Sequence, residues 1–287
     1  MTTSDKIRSV NDLIESLKDT DFNDEKCIYR GQANSNWNIQ PLLLIQNYSD
    51  EPYVLEKTLF LPLFQDKVIP FLTSKDPIEY LMILQHYGVP TRLLDWTKDI
   101  LVALFFACYD KNNENFQEDG VFIVSHRSHF ETISLRVNES IFNVNDFSVV
   151  DKKKFWERIE TSDINYIEPL FLNPRQRIQN GCFLFFPFKT INESDVSYVI
   201  LDDYISYKNN FLRNNGLNGE LYLAKKKIDK NYKKAILREL DQMYSITYDN
   251  LMISSGFSNE MDLSFKLFFQ NVQNDFPRIR DIYDRRK

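Results

Sequence analysis

The stretch YRGQ, residues 29–32, has a guanidinium and a carboxamide on either side of a glycine. Arg30 and Gln32 flank Gly31 at the end of an apolar run that is typical of a short strand. Glycine lets a backbone approach a ligand closely, and an arginine beside it suits the binding of phosphate or carboxylate groups. The stretch therefore predicts one wall of a binding pocket.

A second polar stretch, QHYGVPTRLLDWT at residues 85–97, lies between two strongly apolar runs. Part of it marks the ends of helices, because Gly88 suits a helix C-cap, Pro90 prevents continuation and Thr97 suits the N-cap of the next helix. The remaining residues of interest are Arg92, Asp95 and Trp96. They predict a second wall of the same pocket.

The same residues also fit a purely structural role. A buried ion pair of Asp95 with either Arg92 or Arg30 would fix the order of the strands. Trp37 and Trp96 would then be aromatic residues of the core. The pattern of residue types alone leaves both interpretations open.

Hydrophobic periodicity predicts an α+β chain in which these motifs lie where strands meet helices. The predicted strands are residues 26–32, 91–96, 121–126, 164–171, 181–188 and 196–201. The predicted helices are residues 4–17 with Ser4 as N-cap, 52–72, 77–88, 97–110, 204–216, 232–246 and 261–276, and residues 174–180 form a turn or short helix. This order suggests an α+β domain over residues 1–228 and a helical segment over residues 229–287.

The composition predicts a folded protein with an aromatic core, since its 287 residues include 23 phenylalanines and 15 tyrosines. The net charge of −6 argues against dedicated nucleic-acid binding, because affinity for phosphate backbones comes from clustered lysine and arginine. The basic cluster at residues 224–234 is expected to be a solvated face of a helix. Nucleic acid is therefore a disfavoured partner.

The cysteines and histidines indicate neither a disulfide framework nor a metal site. Cys27, Cys108 and Cys182 are far apart and lack metal-ligand spacing, which fits a reducing cytoplasm. His126 and His129 have a spacing that could grip a metal ion on a helix, but no carboxylate or cysteine cluster completes the ligand set. No apolar leader or bilayer-spanning run is present, so we expect no metal and no membrane association.

Several common enzyme classes are disfavoured by missing motifs. The chain has no Gly-x-Ser-x-Gly nucleophile elbow, no Walker loop and no dinucleotide-binding glycine fingerprint. Its seven glycines also disfavour a backbone cradle for phosphate.

Together the polar motifs resemble the FRG domain, a bacterial family named for its Phe/Tyr-Arg-Gly signature. The resemblance covers about residues 25–225 in order. The segments that carry it are YRGQ with Trp37 and IQPLLL, LQHYGVPTRLLDWT with ALFFA, DGVFIV, NPRQRIQNGCF and, more weakly, NNGLNGELYL.

A more distant resemblance is to the layout of ADP-ribosyltransferases. YRG matches a first block, DWTKDILVALFFA matches a second block with Thr97 in the hydroxyl position, and RIQNGCFLFFP occupies the place of the third. This resemblance implies central, mainly antiparallel small sheets flanked by helices, plus C-terminal helices, with NAD as the substrate. The implied reaction is transfer of ADP-ribose or hydrolysis of NAD, in a toxin or an anti-phage effector.

The same resemblance implies roles for individual residues. Arg30, Thr97 and Gln179 would be catalytic, together with Asp95. Arg30 would hold phosphate or ribose oxygens, and nearby aromatic rings would stack nicotinamide. The residues expected to bind the nucleotide are Arg30, Gly31, Gln32, Tyr87, Thr91, Arg92 and Trp96.

The third block departs from the transferase pattern, because Gln179 or Gly181 stands where a glutamate is expected. An amide can orient a ribose hydroxyl, but it has no negative charge to stabilise an oxocarbenium-like transition state. Asp95 or Glu168 could supply that charge. The alternative is a non-catalytic module that senses a nucleotide or a protein partner through the same pocket.

Overall fold

The computed structural model describes residues 6–18, 25–44, 56, 77–86, 89–111, 114–133, 161, 163–169, 174–187 and 200–252. Within these residues one sheet of seven strands carries helices on both faces, so the predicted α+β class is confirmed. The strands are β1 Cys27–Gln32, β2 Leu93–Thr97, β3 Gly120–His126, β4 Glu131–Ile133, β5 Asn165–Ile167, β6 Gly181–Phe185 and β7 Leu223–Ile228.

The strands lie in the order β4-β5-β6-β2-β1-β3-β7, and all neighbours are antiparallel except β4 and β5. The helices are α1 Val10–Lys18, α2 Pro77–His86, α3 Ile100–Cys108, α4 Pro174–Ile178, α5 Leu201–Asn214, α6 Lys233–Tyr244 and α7 Tyr248–Leu251. Short 3-10 turns occupy Leu42–Leu44, Glu114–Gln117 and Arg127–His129.

Two hydrophobic clusters lie on opposite faces of the sheet. On one face α3, α1 and α6 pack on Tyr29 of β1 and Phe122 of β3. On the other face α5 packs near Ile28 of β1 and Leu94 of β2. The alternation of side chains along β1 therefore sends Tyr29 and Gly31 towards α3, and Arg30 and Gln32 towards the opposite face.

Close packing of α3 explains Gly31. A Cβ atom at this position would lie 1.9 Å from the carbonyl oxygen of Ala103 and 2.4 Å from the backbone nitrogen of Ala107. A Cβ atom at Gly120 of β3 would likewise lie 2.0 Å from the carbonyl oxygen of Ala107. The glycine of YRGQ therefore lets a helix approach the strand, which corrects the expectation that it serves the approach of a ligand.

The start of α3 also differs from the expectation. Asp99, not Thr97, is its N-cap, and Asp99 Oδ1 accepts hydrogen bonds from the backbone N–H groups of Leu101 and Val102. Thr97 cannot take this role because it is the last residue of β2 and pairs with Tyr29. Both residues suit a cap, and strand pairing decides between them.

The basic cluster is only partly helical. Residues 224–228 belong to β7, which is an edge strand, and α6 begins at Lys233. Lysines are common on edge strands, where their charge discourages pairing with other chains. The helical interpretation of the whole cluster was therefore wrong.

Two other predicted boundaries of helices and strands differ from those in the structure. Helix α1 begins at Val10, where Ser9 Oγ accepts a hydrogen bond from the backbone N–H of Asp12, and Ser4 lies outside the described residues. Leu201, predicted as the end of a strand, is the first residue of α5. The predicted helices at 52–72 and 261–276 also lie outside the described part of the chain, except for Glu56.

The predicted domain boundary near residue 228 falls between β7 and α6. Ile236 and Leu240 of α6 and Leu251 of α7 are buried in the same cluster as α3. The division of the chain at this point stays a prediction. No helix among the described residues is both long and apolar enough to cross a bilayer. The three cysteines are buried.

Candidate functional site

A cleft opens between the two strands that carry the polar motifs. β1 pairs with β3 along its whole length, and β2 pairs likewise with β6, but β1 and β2 share only the pair Tyr29–Thr97. Beyond that pair the guanidinium of Arg30, rather than a backbone amide, donates to the carbonyl oxygen of Asp95. The Arg30 side chain therefore spans a gap in which backbone hydrogen bonds no longer join β1 and β2.

We call this gap the β1–β2 cleft. Its volume is about 450 Å³, which lies within the range of about 300–1,000 Å³ that is usual for small-molecule sites. It is lined by Tyr29, Arg30, Gly31, Gln32, Ala33, Trp37, Asp95, Trp96, Thr97, Val102, Phe106, Tyr109, Asp110, Lys111, Arg175, Gln179, Tyr248 and Met252.

The structure brings Arg30, Asp95, Thr97 and Gln179 together in this cleft. The strands β1 and β2 position the first three, and the turn between α4 and β6 positions Gln179. Arg175 of α4 and Lys111, which follows α3, add two further cations. Three cationic side chains from different parts of the chain therefore line the cleft, although the whole chain is acidic.

Two carboxylates also line the cleft. Asp95 is exposed, and its Oδ2 accepts a hydrogen bond of 3.1 Å from Gln85 Nε2, which orients the carboxylate. Asp110 accepts two hydrogen bonds from Asn115, one from the backbone and one from the side-chain amide. Asp95 is thus the more accessible of the two acids.

Thr97 uses its hydroxyl within the fold. Its Oγ1 donates to the carbonyl oxygen of Gln179 at 2.6 Å and accepts from the backbone N–H of Asp99 at 2.9 Å. These two bonds tie the end of β2 to the turn before β6 and to the start of α3. A hydroxyl held in this way is not available as a donor to a ligand.

Gln179 also makes contacts within the fold. Its Nε2 donates to the carbonyl oxygen of Leu251 at 2.9 Å and approaches the Met252 sulfur at 3.7 Å. The amide therefore fastens α7 to the wall of the cleft. It provides polar surface to the cleft without a negative charge.

Gln32 and Trp96, which both line the cleft, each have a buried polar atom without a hydrogen-bond partner among the described residues, namely Gln32 Oε1 and Trp96 Nε1. Gln32 is 6% exposed and Trp96 is 3% exposed. Gln32 Nε2 donates to the carbonyl oxygen of Asn38 at 3.2 Å, and this bond fixes the amide, because the flipped amide would oppose two oxygens. An acceptor and a donor are therefore left for a ligand or water.

Aromatic rings form the mouth of the cleft. Trp37 is 48% exposed there, so it is not the core residue that the structural interpretation expected. Tyr109 stacks on Tyr248 with ring centroids 5.0 Å apart. Burial, with the nearby Tyr248 and Asp110, raises the pKa of Tyr109, so its phenol stays protonated at neutral pH.

Lys233 supports one rim of the cleft from behind. Its ammonium is fully buried and donates to the carbonyl oxygens of Ala33 and Asn115. Burial lowers the pKa of this lysine. The bond to Ala33 links α6 to the end of β1, and the bond to Asn115 links α6 to the 3-10 turn Glu114–Gln117.

Arg92 does not reach the cleft, which corrects its expected role in nucleotide binding. It is fully buried, forms a two-pronged ion pair with Glu56 at 2.8 Å, and donates to the carbonyl oxygen of Phe186. Its guanidinium also stacks over Phe185. The structural interpretation of Arg92 was correct in kind, but the partner is Glu56 and not Asp95.

Other expected residues also fall elsewhere. Thr91 is buried outside the cleft, where its hydroxyl bonds Gln85 and the backbone N–H of Leu93. Gly181 pairs with Thr97 in the sheet and does not line the cleft. Tyr87 and Gly88 lie outside the described residues.

Glu168 is not part of the cleft either. It pairs with Lys98 and Arg127 and accepts a hydrogen bond from Tyr166 in a separate surface depression. Burial opposes its ionisation, but the bonds from Lys98 and Tyr166 outweigh burial and lower its pKa. Of the two carboxylates expected to supply charge, only Asp95 lies in the cleft.

Sequence reasoning missed several residues of the cleft. Arg175 lines the cleft, but its stretch PRQR was of note only within the segment NPRQRIQNGCF that resembles the FRG domain. Tyr248 and Met252 come from beyond the predicted domain, and no local pattern relates them to a cleft far earlier in the chain. Within the described residues no group of three or more His, Cys, Asp or Glu side chains could hold a metal ion.

Comparison with known families identifies part of this arrangement. Residues 25–116 match the family model of the FRG domain, and this range includes β1, α2, β2 and α3 with Arg30 and Asp95. No curated protein and no solved structure matches the chain, so the comparisons do not support the resemblance to ADP-ribosyltransferases. The cleft also uses α4 and α7, which lie beyond the matched range.

Proposed function

From the FRG domain that this chain carries, we propose that it is a nucleotide-binding module whose β1–β2 cleft takes NAD. The observation that carries the proposal is the convergence of Arg30 with Arg175 and Lys111 beside aromatic rings in one cleft. We further propose that it acts in the cytoplasm, where NAD is present and the three cysteines stay reduced.

The charges of the cleft fit a pyrophosphate. A dinucleotide has two negative charges at its centre, and arginine binds phosphate oxygens through charge-assisted hydrogen bonds. Arg30 and Arg175 approach the cleft from different elements, so they can contact the pyrophosphate from two directions. The carboxylate of Asp95 suits a ribose hydroxyl, which donates to it.

The aromatic rings fit the two bases. Trp37 at the mouth and the stacked pair Tyr109–Tyr248 provide flat surfaces on which a purine or a pyridinium ring can stack. Thr97 and Gln179 are already bonded within the fold, and neither can supply the negative charge that cleavage needs. Binding is therefore better supported than turnover.

The test is a calorimetric titration of the full-length protein with NAD. Arg30→Ala is expected to weaken binding by about tenfold or more, since a charge-assisted hydrogen bond contributes about 1.5–3 kcal/mol. Arg213→Ala is the matched control, because it removes the same charge from an exposed position near the end of α5. No heat of NAD binding, or equal affinities of the two variants, would overturn the proposal.

A second candidate function is cleavage of NAD, and the exposed carboxylate of Asp95 beside Arg30 favours it. In hydrolysis, water adds to the anomeric carbon of the ribose, nicotinamide leaves with the electron pair of the broken C–N bond, and one proton of the water is released to solvent. Asp95 would stabilise the positive charge that develops on the ribose. The protein would then act as a toxin or an anti-phage effector.

Release of nicotinamide distinguishes the two functions. If NAD is cleaved, Asp95→Asn is expected to abolish nicotinamide release, measured by chromatography, while calorimetry still detects NAD binding. If the wild-type protein releases no nicotinamide over a long incubation, the protein is a binding module and not an NAD-cleaving enzyme. Release by Asp95→Asn at the wild-type rate would exclude Asp95 as the catalytic carboxylate.

A further inference from the structure

We infer that Gln32 and Trp96 together recognise an edge of the ligand on which a hydrogen-bond donor lies next to a hydrogen-bond acceptor. The inference rests on the proposed nucleotide-binding function and names the feature of the nucleotide that the cleft recognises. Gln32 Oε1 needs a donor and Trp96 Nε1 needs an acceptor, and both atoms are buried without a partner in the described chain.

The topology sends these two side chains to the same face of the sheet. Tyr29 lies opposite Thr97 in antiparallel strands, and Gln32 and Trp96 each lie an odd number of residues from that pair. Because side chains alternate along a strand, both point to the face opposite that of Tyr29, and both residues line the cleft. They approach the cleft from its two opposite walls.

Both side chains are held in place by other contacts. Rotation of the Gln32 amide would lose its bond to Asn38 and place two carbonyl oxygens together. The indole of Trp96 has a single N–H and is held in the hydrophobic cluster with Leu94 and Leu184. Polar atoms that are buried in this way are usually bonded, and here a bound group provides the missing partners.

NAD offers this chemistry at both of its ends. The carboxamide of nicotinamide has an N–H donor beside a carbonyl acceptor. The edge of adenine has an amino donor beside a ring nitrogen acceptor. In either case the N–H donates to Gln32 Oε1 and the acceptor receives the Trp96 N–H.

Two analogues of NAD separate the two ends. The nicotinic acid analogue replaces the carboxamide by a carboxylate, which has no N–H and presents negative oxygen to Gln32 Oε1. The hypoxanthine analogue replaces the amino donor of adenine by a carbonyl acceptor, so the contact with Gln32 Oε1 is mismatched on either edge of the purine that includes this group. ADP-ribose, which lacks nicotinamide, reports binding of the remaining part of the molecule.

The experiment is a calorimetric titration of the full-length protein with NAD, both analogues and ADP-ribose. One analogue is expected to bind about tenfold more weakly than NAD, which corresponds to about 1.4 kcal/mol and to the loss of one hydrogen bond. That discrimination is expected to disappear in Gln32→Met and, independently, in Trp96→Phe. Gln117→Met, at an exposed position outside the cleft, is expected to keep it.

The measured quantity is the ratio of the affinities for NAD and for each analogue. A general loss of protein stability would weaken the binding of all these ligands alike and leave the ratio unchanged. Equal binding of NAD and both analogues by the wild-type protein would overturn the inference. So would discrimination that persists in either Gln32→Met or Trp96→Phe.

Failure of the proposed function gives a different result. If neither NAD nor ADP-ribose binds, free nicotinamide and free adenine are tested by saturation-transfer NMR. A signal that is present in the wild-type protein and lost in Gln32→Met supports the inference without a dinucleotide. The absence of any signal overturns it together with the function.

Discussion

Arg30 and Arg92 come from the two polar motifs, and their surroundings are opposite in character. Arg92 is fully buried, and Glu56 and Phe186 accept hydrogen bonds from its guanidinium. Arg30 is half-buried and lines an open cleft where the ladder between β1 and β2 ends. The same residue type thus stabilises the core in one motif and faces a candidate ligand site in the other.

The comparison extends to the smaller polar residues of the motifs. Thr91 and Thr97 have hydroxyls that bond other parts of the fold, whereas Gln32 and Trp96 each retain a buried polar atom without a partner in the described residues. Whether a polar group is already bonded within the chain therefore separates the structural residues of the motifs from those that we propose contact a ligand.

The largest effect is expected from Arg92. Arg92→Met leaves the carboxylate of Glu56 buried without its partner, and the free energy of unfolding is expected to fall by about 3–5 kcal/mol. Urea denaturation followed by circular dichroism measures this change. Arg30→Met, the matched variant in the cleft, is expected to lower the free energy of unfolding by about 1 kcal/mol or less.

A double variant checks the cause. Replacing Glu56 by Leu together with Arg92→Met removes both charges, and most of the lost stability is expected to return. Equal losses for Arg30→Met and Arg92→Met would contradict the comparison between the two arginines.

The next effect concerns the packing of α3 on β1. Gly31→Ala introduces a Cβ atom into contact with the backbone of α3, and overpacking of this kind costs about 1–3 kcal/mol or more. Gly181→Ala is the control, since its nearest neighbour would lie at 3.5 Å, an ordinary contact. Urea denaturation of both variants is the measurement, and a similar stability for the two would show that helix packing does not require Gly31.

Local features of the sequence predict much of this fold. Short apolar runs predict β1, β3 and β6, and the Gly-Pro punctuation before TRLLDW predicts the change from helix α2 to strand β2. These features are encoded within a few residues, because caps, prolines and periodicity act on neighbouring backbone. The sequence also predicts that Arg30, Asp95, Thr97 and Gln179 belong together.

The remaining features depend on contacts between distant parts of the chain. Glu56 pairs with Arg92 across 36 positions, and no pattern in the sequence selects this carboxylate over others. Gly31 serves α3 because Ala103 and Ala107 permit the close approach, which is a property of the packed pair. The edge strand β7 has a lysine-rich sequence that also suits a helix, and pairing with β3 decides its conformation.

A smaller effect is expected from Thr97, whose hydroxyl is bonded within the fold. Thr97→Val removes the bonds to Gln179 and Asp99, and the free energy of unfolding is expected to fall by about 1–2 kcal/mol. Thr97→Ser retains a hydroxyl and is expected to keep most of this stability. A Thr97→Val protein with unchanged stability but without affinity for NAD would move Thr97 to the ligand-facing group.

The smallest effect at neutral pH concerns a polar atom without a described partner that lies outside the cleft, His129 Nδ1. Burial, with the nearby ring of His126, lowers the pKa of His129 to about 4. The unfolded chain, with a pKa of about 6.5, binds this proton more readily, so stability is complete above pH of about 6.5 and falls as the pH decreases towards 4.

His129→Phe is expected to flatten the dependence of the free energy of unfolding on pH in this window, measured by urea denaturation at successive pH values. Carboxylates titrate near the lower end, so the difference between wild type and variant isolates the histidine. The ring packs edge-on against Tyr222 with centroids 4.4 Å apart, and phenylalanine can retain that contact. An identical slope for both proteins would mean that His129 binds its proton equally well in the folded and unfolded chains. A half-buried histidine outside the cleft then produces a pH dependence, whereas Gln32 and Trp96 in the cleft are expected to produce ligand selectivity.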